Sequence, residues 1–335
     1  MTLRVGVIGV GMMGQDHVRR LTRVLSGVDV VAVSDVDRDR AEAGADGLSE
    51  ARVHGTGEEL AADDAVDAVV VCSWGETHEQ YVLAALESGK PVFCEKPLAT
   101  TAESCRRILS AETALGRRLV QVGYMRRYDA AYRALREVVH SGSIGLPLLM
   151  HCTHRNPSVP GYYQKESAII DTAVHEIDLV RWLFEEEIAA TSVLLPRRSR
   201  NGGELQDPLV LLLEMDSGVL VDVEISVNIR YGYDIRGEVV GENGTASLGE
   251  PSPVRVRREG LVSDRVPADW RERFVRAYDV ELQEWVDAVS GSGELGPSSW
   301  DGYAAAAASE AALEALRTGQ RVPVALVDRP ALYDK

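Results

Sequence analysis

The chain has 335 residues, 45% of them hydrophobic and 26% charged. That is longer than a single core usually supports and ordinary for a globular protein, so two domains are expected. Its 52 acidic and 36 basic residues leave a formal net charge of −16, and the basic pairs Arg19-Arg20, Arg117-Arg118 and Arg197-Arg198 are scattered, which argues against nucleic acid and anionic membrane as partners.

The four cysteines, Cys72, Cys94, Cys105 and Cys152, lack CxxC spacing and read as small buried thiols rather than a disulfide, a metal site or a nucleophile. Met-Thr-Leu-Arg runs straight into a strand, no secretory apolar region precedes it, and no apolar run reaches 18 residues; a cytoplasmic, reduced protein is expected.

Residues 3–8 read as a buried strand, followed by Gly9-Val-Gly11-Met12-Met13-Gly14 and an amphipathic helix carrying Val18, Leu21, Val24 and Leu25. Such a glycine pattern is weak alone, but between a strand and a helix it marks a dinucleotide loop. Gly9 suits the tight turn, Gly11 the close approach of a pyrophosphate, and Gly14 helix-to-strand packing. The diphosphate would lie on the helix N-terminus, where unpaired amides and the dipole favour an anion.

The second strand, from Val28, ends in Asp35, where a carboxylate accepts from both hydroxyls of an adenosine ribose and repels a 2′-phosphate. NAD is therefore expected rather than NADP, with Arg38 and Arg40 partly offsetting the preference. Asp35 also reads as a plain turn residue; the upstream glycines favour the ribose contact.

A short third strand at 52–54 precedes a helix starting by Gly57, and a fully apolar fourth strand, 66–72, ends at Ser73 and Trp74, candidates for the nicotinamide side. The fifth strand, 92–94, delivers Glu95-Lys96-Pro97-Leu98 at the same edge. Lys96, before a proline that restricts its backbone, reads either as a held functional lysine or as a surface lysine. Thr100 or Thr101 with Glu103 caps the next helix, and 118–122 closes the sheet. Residues 1–123 are thus expected to form an α/β, doubly wound parallel sheet of Rossmann type.

Residues 124–335 are expected to form an α+β domain with a mostly antiparallel sheet. A helix runs to about His140, and strands are read at 148–154, 209–215, 219–229, 235–240 and 245–248. Helices at about 274–290 and 300–318 finish the fold, with the Ala304–Ala308 run suited to close helix packing. Glu185-Glu186-Glu187 reads as a solvated helix end rather than a metal site. An exposed face of such a sheet commonly pairs with another copy, so a homo-oligomer is expected.

One helix, about 167–184, stands out. At about 100° per residue, Asp171, His175 and Asp178 share one face while Ile169, Ala173, Ile177, Val180 and Phe184 share the other. The polar face is either an ordinary solvated i,i+4 pair or a carboxylate, an imidazole and a second carboxylate presented together.

Gly9-Val-Gly11-Met12-Met13-Gly14-Gln-Asp-His17, Glu95-Lys96-Pro97-Leu98 and Asp171-xxx-His175-xx-Asp178, in this order, resemble the Gfo/Idh/MocA family of NAD(P)-dependent sugar and polyol oxidoreductases. Ser73-Trp-Gly, Gly123 to Asp129, His154-Arg-Asn-Pro157 and Tyr231 to Ile235 are similar to the bacterial inositol 2-dehydrogenases within it. The resemblance implies a catalytic set of Lys96, Asp171 and His175. It implies NAD held by Gly9, Gly11, Met12, Met13, Gly14, Asp35, Ser73, Trp74, His78, Glu95 and Lys96. Substrate contacts from Lys96, Arg126, Asn156, Asp171, Thr172, His175, Asp178 and Tyr233 are implied, as is a homotetramer. The match gives no site residues after about residue 250.

The implied reaction is NAD-dependent oxidation of a secondary hydroxyl of a cyclitol, myo-inositol to its 2-keto product. An imidazole, whose ordinary pKa is about 6.5, suits His175 as base. Asp171 would orient its ring, and Lys96 would stabilise developing alkoxide charge. The same residues would serve scyllo-inositol, another isomer or a pyranose sugar. A catalytically silent NAD-binding regulator is the alternative of another class.

Overall fold

The computed structural model describes residues 2–48, 51–249 and 254–334. The chain separates into two compact units, Met1–Tyr124 with Tyr278–Ala306 and Val327–Lys335, and Met125–Ala277 with Ala307–Leu326. The sequence reading assigns all of 124–335 to the second unit, whereas two stretches of it belong to the first. The reason is apolar: Leu282, Trp285 and Val286 are buried in a core with Val5, Val7, Leu21 and Phe93.

In the first unit, strands β1 (Leu3–Ile8), β2 (Val28–Ser34), β3 (Arg52–His54), β4 (Ala68–Val71), β5 (Val92–Glu95) and β6 (Val120–Gly123) form one sheet in the order β3-β2-β1-β4-β5-β6. All its pairings are parallel. Between them run helices α1 (Met12–Arg23), α2 (Arg38–Ala45), α3 (Gly57–Ala62), α4 (Gly75–Glu87) and α5 (Ala102–Leu115). β4 and β5 are buried along their whole length, as befits strands covered on both faces, which is why they read as unbroken apolar runs. Thr101, not Thr100, caps α5, accepting from the Ser104 amide.

In the second unit, α6 (Ala130–His140), β7 (Pro147–Arg155), α7 (Val174–Phe184), β8 (Ile188–Leu194), β9 (Leu209–Met215), β10 (Leu220–Ser226), β11 (Asp234–Gly241) and β12 (Gly244–Ser247) follow in chain order. A hairpin of β13 (Arg255–Arg258) and β14 (Leu261–Asp264) and the short β15 (Val322–Pro323) complete its strands, while α8 (Trp270–Val289) and α9 (Ser299–Thr318) each have residues in both units. The main sheet has the order β12-β11-β7-β10-β9-β8-β15. Its pairings are antiparallel except β7 with β10. Alternation is strict where one face is covered: Leu209, Leu211, Leu213 and Met215 are buried and the residues between them are half-exposed. β8, β13, β14 and β15 are strands that the sequence reading does not specify.

α8 is broken at Phe274, whose backbone is non-helical. In α9, Ala304, Ala305 and Ala308 are buried. A Cβ on Gly302 would fall 2.6 Å from that of Leu98, the close packing expected of the alanine run. All four cysteines are free thiols. Among the described residues, no helix is long and apolar enough to cross a membrane.

Candidate active site

The carboxyl ends of β1, β2, β4 and β5 carry the residues singled out in the first unit. Gly9 has φ +86°, and a Cβ there would meet the Ser73 amide at 2.5 Å. A Cβ on Gly14 would lie 1.9 Å from the Gly9 carbonyl oxygen, whereas one on Gly11 would meet nothing within 4 Å. Two glycines are thus required by the protein's own backbone, and the third faces open space that an approaching ligand can use. The N-terminus of α1 has no side-chain cap and no acidic residue in its first turn, so its amides and dipole suit a pyrophosphate. Met12 and Trp74, residues 62% and 72% exposed, leave apolar surface in water beside these loops.

Asp35 sits at the end of β2 with both carboxylate oxygens engaged. Oδ2 accepts from the Val10 amide at 2.9 Å and Oδ1 from the Asp37 amide at 3.0 Å, with Arg40 Nη1 3.3 Å from Oδ1. The carboxylate therefore anchors the glycine loop as well as standing where a ribose is expected. Ser73 Oγ accepts from Thr77 Oγ1 at 2.8 Å.

His78 is buried, with Nδ1 2.7 Å from the Pro97 carbonyl and Nε2 3.0 Å from that of Ser73. Burial pulls its pKa down, against the two carbonyls. The ring braces the loops after β4 and β5. Glu95 is also turned inward: its Oε1 accepts from His17 Nε2 at 2.7 Å and its Oε2 from the Lys96 amide at 3.2 Å. Lys96 is half-buried and joined to Pro97 by a cis peptide bond.

In the second unit the expected single α-helix over 167–184 is replaced by a π-helical turn, Ala168–Ala173, leading into α7. The Val174 amide donates to the Ile169 carbonyl, five residues back. The expected polar face is not a solvated one either. Asp171 is exposed, but His175 and Asp178 are 9% and 1% exposed, and Glu176 on another side of the helix is equally buried. Polar partners from neighbouring elements make this possible, since a buried charge needs a paired one.

Arg127 supplies one such partner. Its Nε donates to Asp178 Oδ2 at 2.9 Å and its Nη2 to Oδ1. Arg126, fully buried, donates through Nη1 to Glu176 Oε1. His154 Nδ1 lies 3.1 Å from both Arg126 Nη2, a donor, and Glu176 Oε2, an acceptor, so its proton position serves one of them at a time. Burial alone would raise the Glu176 pKa, but Arg126 and His154 hold it down at about 2.

The rings of His154 and His175 are 6.3 Å apart. Tyr233 stands edge-on to His154 at 5.8 Å, and burial pushes its pKa up to about 12. Thr172 is buried with its Oγ1 2.7 Å from Tyr163 Oη. Asn156 is half-buried, and its backbone pairs with Ser226 and Ile229. The structure thus gathers Arg126, His175 and Tyr233 around His154 and Glu176. Neither Glu176, Arg127 nor Tyr163 is flagged by spacing; His154 stands in one of the matching stretches, and burial is the signal that finds it.

The profile of an oxidoreductase family described by its NAD-binding Rossmann fold matches residues 3–124, and that of the family's C-terminal alpha/beta domain matches 136–326. The chain belongs to the Gfo/Idh/MocA oxidoreductase family. It is 55% identical to the inositol 2-dehydrogenase 3 of Saccharopolyspora erythraea, covering 99% of this chain and 98% of that one. It is 54% identical to the inositol 2-dehydrogenase of Acidiphilium cryptum, covering all of both. Among solved Gfo/Idh/MocA structures, the myo-inositol dehydrogenase of Lactobacillus casei, in complex with NAD(H) and myo-inositol, superposes with a TM-score of 0.96 at 40% identity over the whole of both chains.

Proposed function

We propose that the chain is an NAD-dependent dehydrogenase of a cyclitol, oxidising the 2-hydroxyl of myo-inositol to the 2-keto product. The observation that carries this reading is charge balance around His175. Arg126 is paired with Glu176 and Arg127 with Asp178, so neither arginine is committed to an anionic substrate. What remains is an imidazole, hydroxyls and an amide, groups that suit a ring bearing many hydroxyls and no charge. End-to-end similarity to inositol 2-dehydrogenases supports the same assignment.

NAD, when bound, supplies the hydride acceptor. The uncapped α1 terminus and the open space at Gly11 fit its diphosphate, and Asp35 its adenosine ribose, with Met12, Met13, Ser73 and Trp74 beside it. His175 takes the proton of the reacting hydroxyl, and Asp171, one turn earlier, orients the ring and stabilises the imidazolium. Lys96 serves to stabilise negative charge as it develops in the reaction. Asn156, Thr172 and Tyr233 offer hydrogen bonds to the other ring hydroxyls. Arg126 and Asp178 shape that set through their ion pairs, and His78 and Glu95 hold the loops that carry Ser73 and Lys96.

A homotetramer built on the open face of the second unit's sheet completes the reading. Leu149, His151, Leu220 and Arg236 are exposed on that face, with His151 beside Asp222 and Arg155 beside Glu224. Light scattering should give the mass of four chains. The working compartment is the cytoplasm.

The test is absorbance of reduced nicotinamide, with NAD and NADP each run against a panel of inositol isomers and simple sugars. Fastest turnover with NAD and myo-inositol is expected. Faster turnover of scyllo-inositol or a pyranose would move the substrate assignment, and no turnover of any polyol would make the chain a silent NAD-binding regulator.

A further inference from the structure

His17 is fully buried on α1, one turn beyond Gly14, and its Nε2 donates to Glu95 Oε1 at 2.7 Å. The two residues are 78 positions apart, and their strands are not neighbours, since β4 lies between β1 and β5. The contact therefore ties the helix that starts at the dinucleotide loop directly to the strand end that carries Lys96.

Several observations give this link a defined geometry. Nδ1 of His17 is buried with no partner among the described residues, so the ring's proton belongs on Nε2, facing the carboxylate. Phe93 stands edge-on to the imidazole at 5.8 Å and Tyr278 lies 5.9 Å away, leaving the ring little room to turn. Glu95 is held on its other side as well: Oε2 accepts from the Lys96 amide at 3.2 Å, and a Cβ on Gly123 would come within 3.3 Å of it. A buried carboxylate with these donors is expensive to leave half-satisfied. Burial would raise the Glu95 pKa, and the His17 hydrogen bond reverses that.

We propose that His17 is a positioning residue for Lys96: acting through Glu95, it makes the dinucleotide-receiving helix and the lysine-bearing strand end move as one body. Closure of the α1 terminus on a diphosphate is then transmitted to Lys96 by one charge-assisted hydrogen bond and one backbone hydrogen bond, without passing through β4. This rests on the dehydrogenase reading for its kinetic consequences. The mechanical coupling itself needs only that NAD binds.

Three variants test it. His17→Leu removes the donor, His17→Gln keeps an N–H near the Nε2 position, and Glu95→Gln must turn an NH2 toward either His17 or the Lys96 amide. With NAD and myo-inositol, His17→Leu and Glu95→Gln should lower kcat by about 10- to 100-fold while KM for NAD stays within about threefold. His17→Gln should recover most of the loss. A packing role would instead lower thermal stability in all three and spare none of them kinetically.

Hydrogen exchange gives a readout apart from turnover. NAD should protect both the 9–14 loop and the 95–98 segment in the parent protein, and only the loop in His17→Leu. Unchanged kcat in His17→Leu, a His17→Gln variant as slow as His17→Leu, or protection of 95–98 surviving in His17→Leu would each overturn the proposal. Should His17→Leu fail to fold, His17→Gln and Glu95→Gln decide it by the same two measurements. If the parent protein oxidises no polyol, the cyclitol reading falls and the exchange experiment alone judges the coupling.

Discussion

Arg127 and Asp178 meet in a two-point ion pair in which the carboxylate is only 1% exposed. Removing one partner of a buried pair leaves an uncompensated charge, while removing both can be nearly neutral. Arg127→Leu should lower unfolding free energy by about 3 to 5 kcal/mol, and the double variant Arg127→Leu/Asp178→Leu should regain most of it. Urea denaturation of the parent, Arg127→Leu, Asp178→Leu and the double variant measures this directly. Strictly additive losses would show that the pair is not coupled.

The Arg126–Glu176 pair makes a second forecast, in pH. The native Glu176 pKa of about 2 lies below the unfolded value of about 4.3. The group therefore adds stability that is whole above about pH 4.5 and is lost as pH falls toward 2. Glu176→Gln, which leaves Arg126 buried without its carboxylate, should be markedly less stable at pH 7. The gap in melting temperature between it and the parent should narrow on acidification from 5 to 3. A gap that stays constant over that range would refute the assignment.

His175→Ala should lower kcat by about two to four orders of magnitude and leave NAD affinity within a fewfold, because a base acts on the reacting hydroxyl and not on the dinucleotide. Stopped-flow turnover and NAD titration together read the split. An equal loss of NAD binding would remove His175 from that role.

Tyr163 Oη and Thr172 Oγ1 share one hydrogen bond in which either hydroxyl can donate, so Tyr163 fixes the position of the threonine hydroxyl. Tyr163→Phe should raise KM for the polyol by about 3- to 10-fold with kcat nearly unchanged, the signature of lost uniform binding. A fall in kcat with constant KM would place Tyr163 in the chemistry instead.

Asp35→Ser should raise kcat/KM for NADP by at least about 10-fold, since the carboxylate that repels a 2′-phosphate is gone and Arg40 loses its contact with it. NAD use should fall as well, because the same side chain holds the Val10 amide. Continued rejection of NADP would mean that specificity is set elsewhere.

The glycine loop was legible in the sequence because its requirements are local: a positive φ at Gly9 and a missing Cβ at Gly14. Strands β4 and β5 were legible because burial on both faces leaves nearly pure apolar runs, whereas β3, Arg-Val-His, is exposed or half-exposed throughout. The ion pairs were not. Arg126 and Arg127 are adjacent, Glu176 and Asp178 are two residues apart on α7, and which arginine takes which carboxylate 50 or 51 residues away is decided by packing. The same holds for Glu112, buried at the end of α5, which accepts from Tyr333 Oη at 2.6 Å across 221 positions. Arg255 to Asp264 carries charge and apolar residues on both faces of an exposed hairpin, so no alternation betrayed it.

The π-helical turn before His175 carries one residue more than an α-helical turn would need. Deleting Thr172 or Ala173 would restore a regular helical turn and swing Asp171 about 100° around the axis relative to His175. Every side chain of the proposed catalytic set would still be present. What the site needs at this point is therefore a length as much as a set of residues, and a chain one residue shorter between Asp171 and His175 would keep the side chains and lose their geometry.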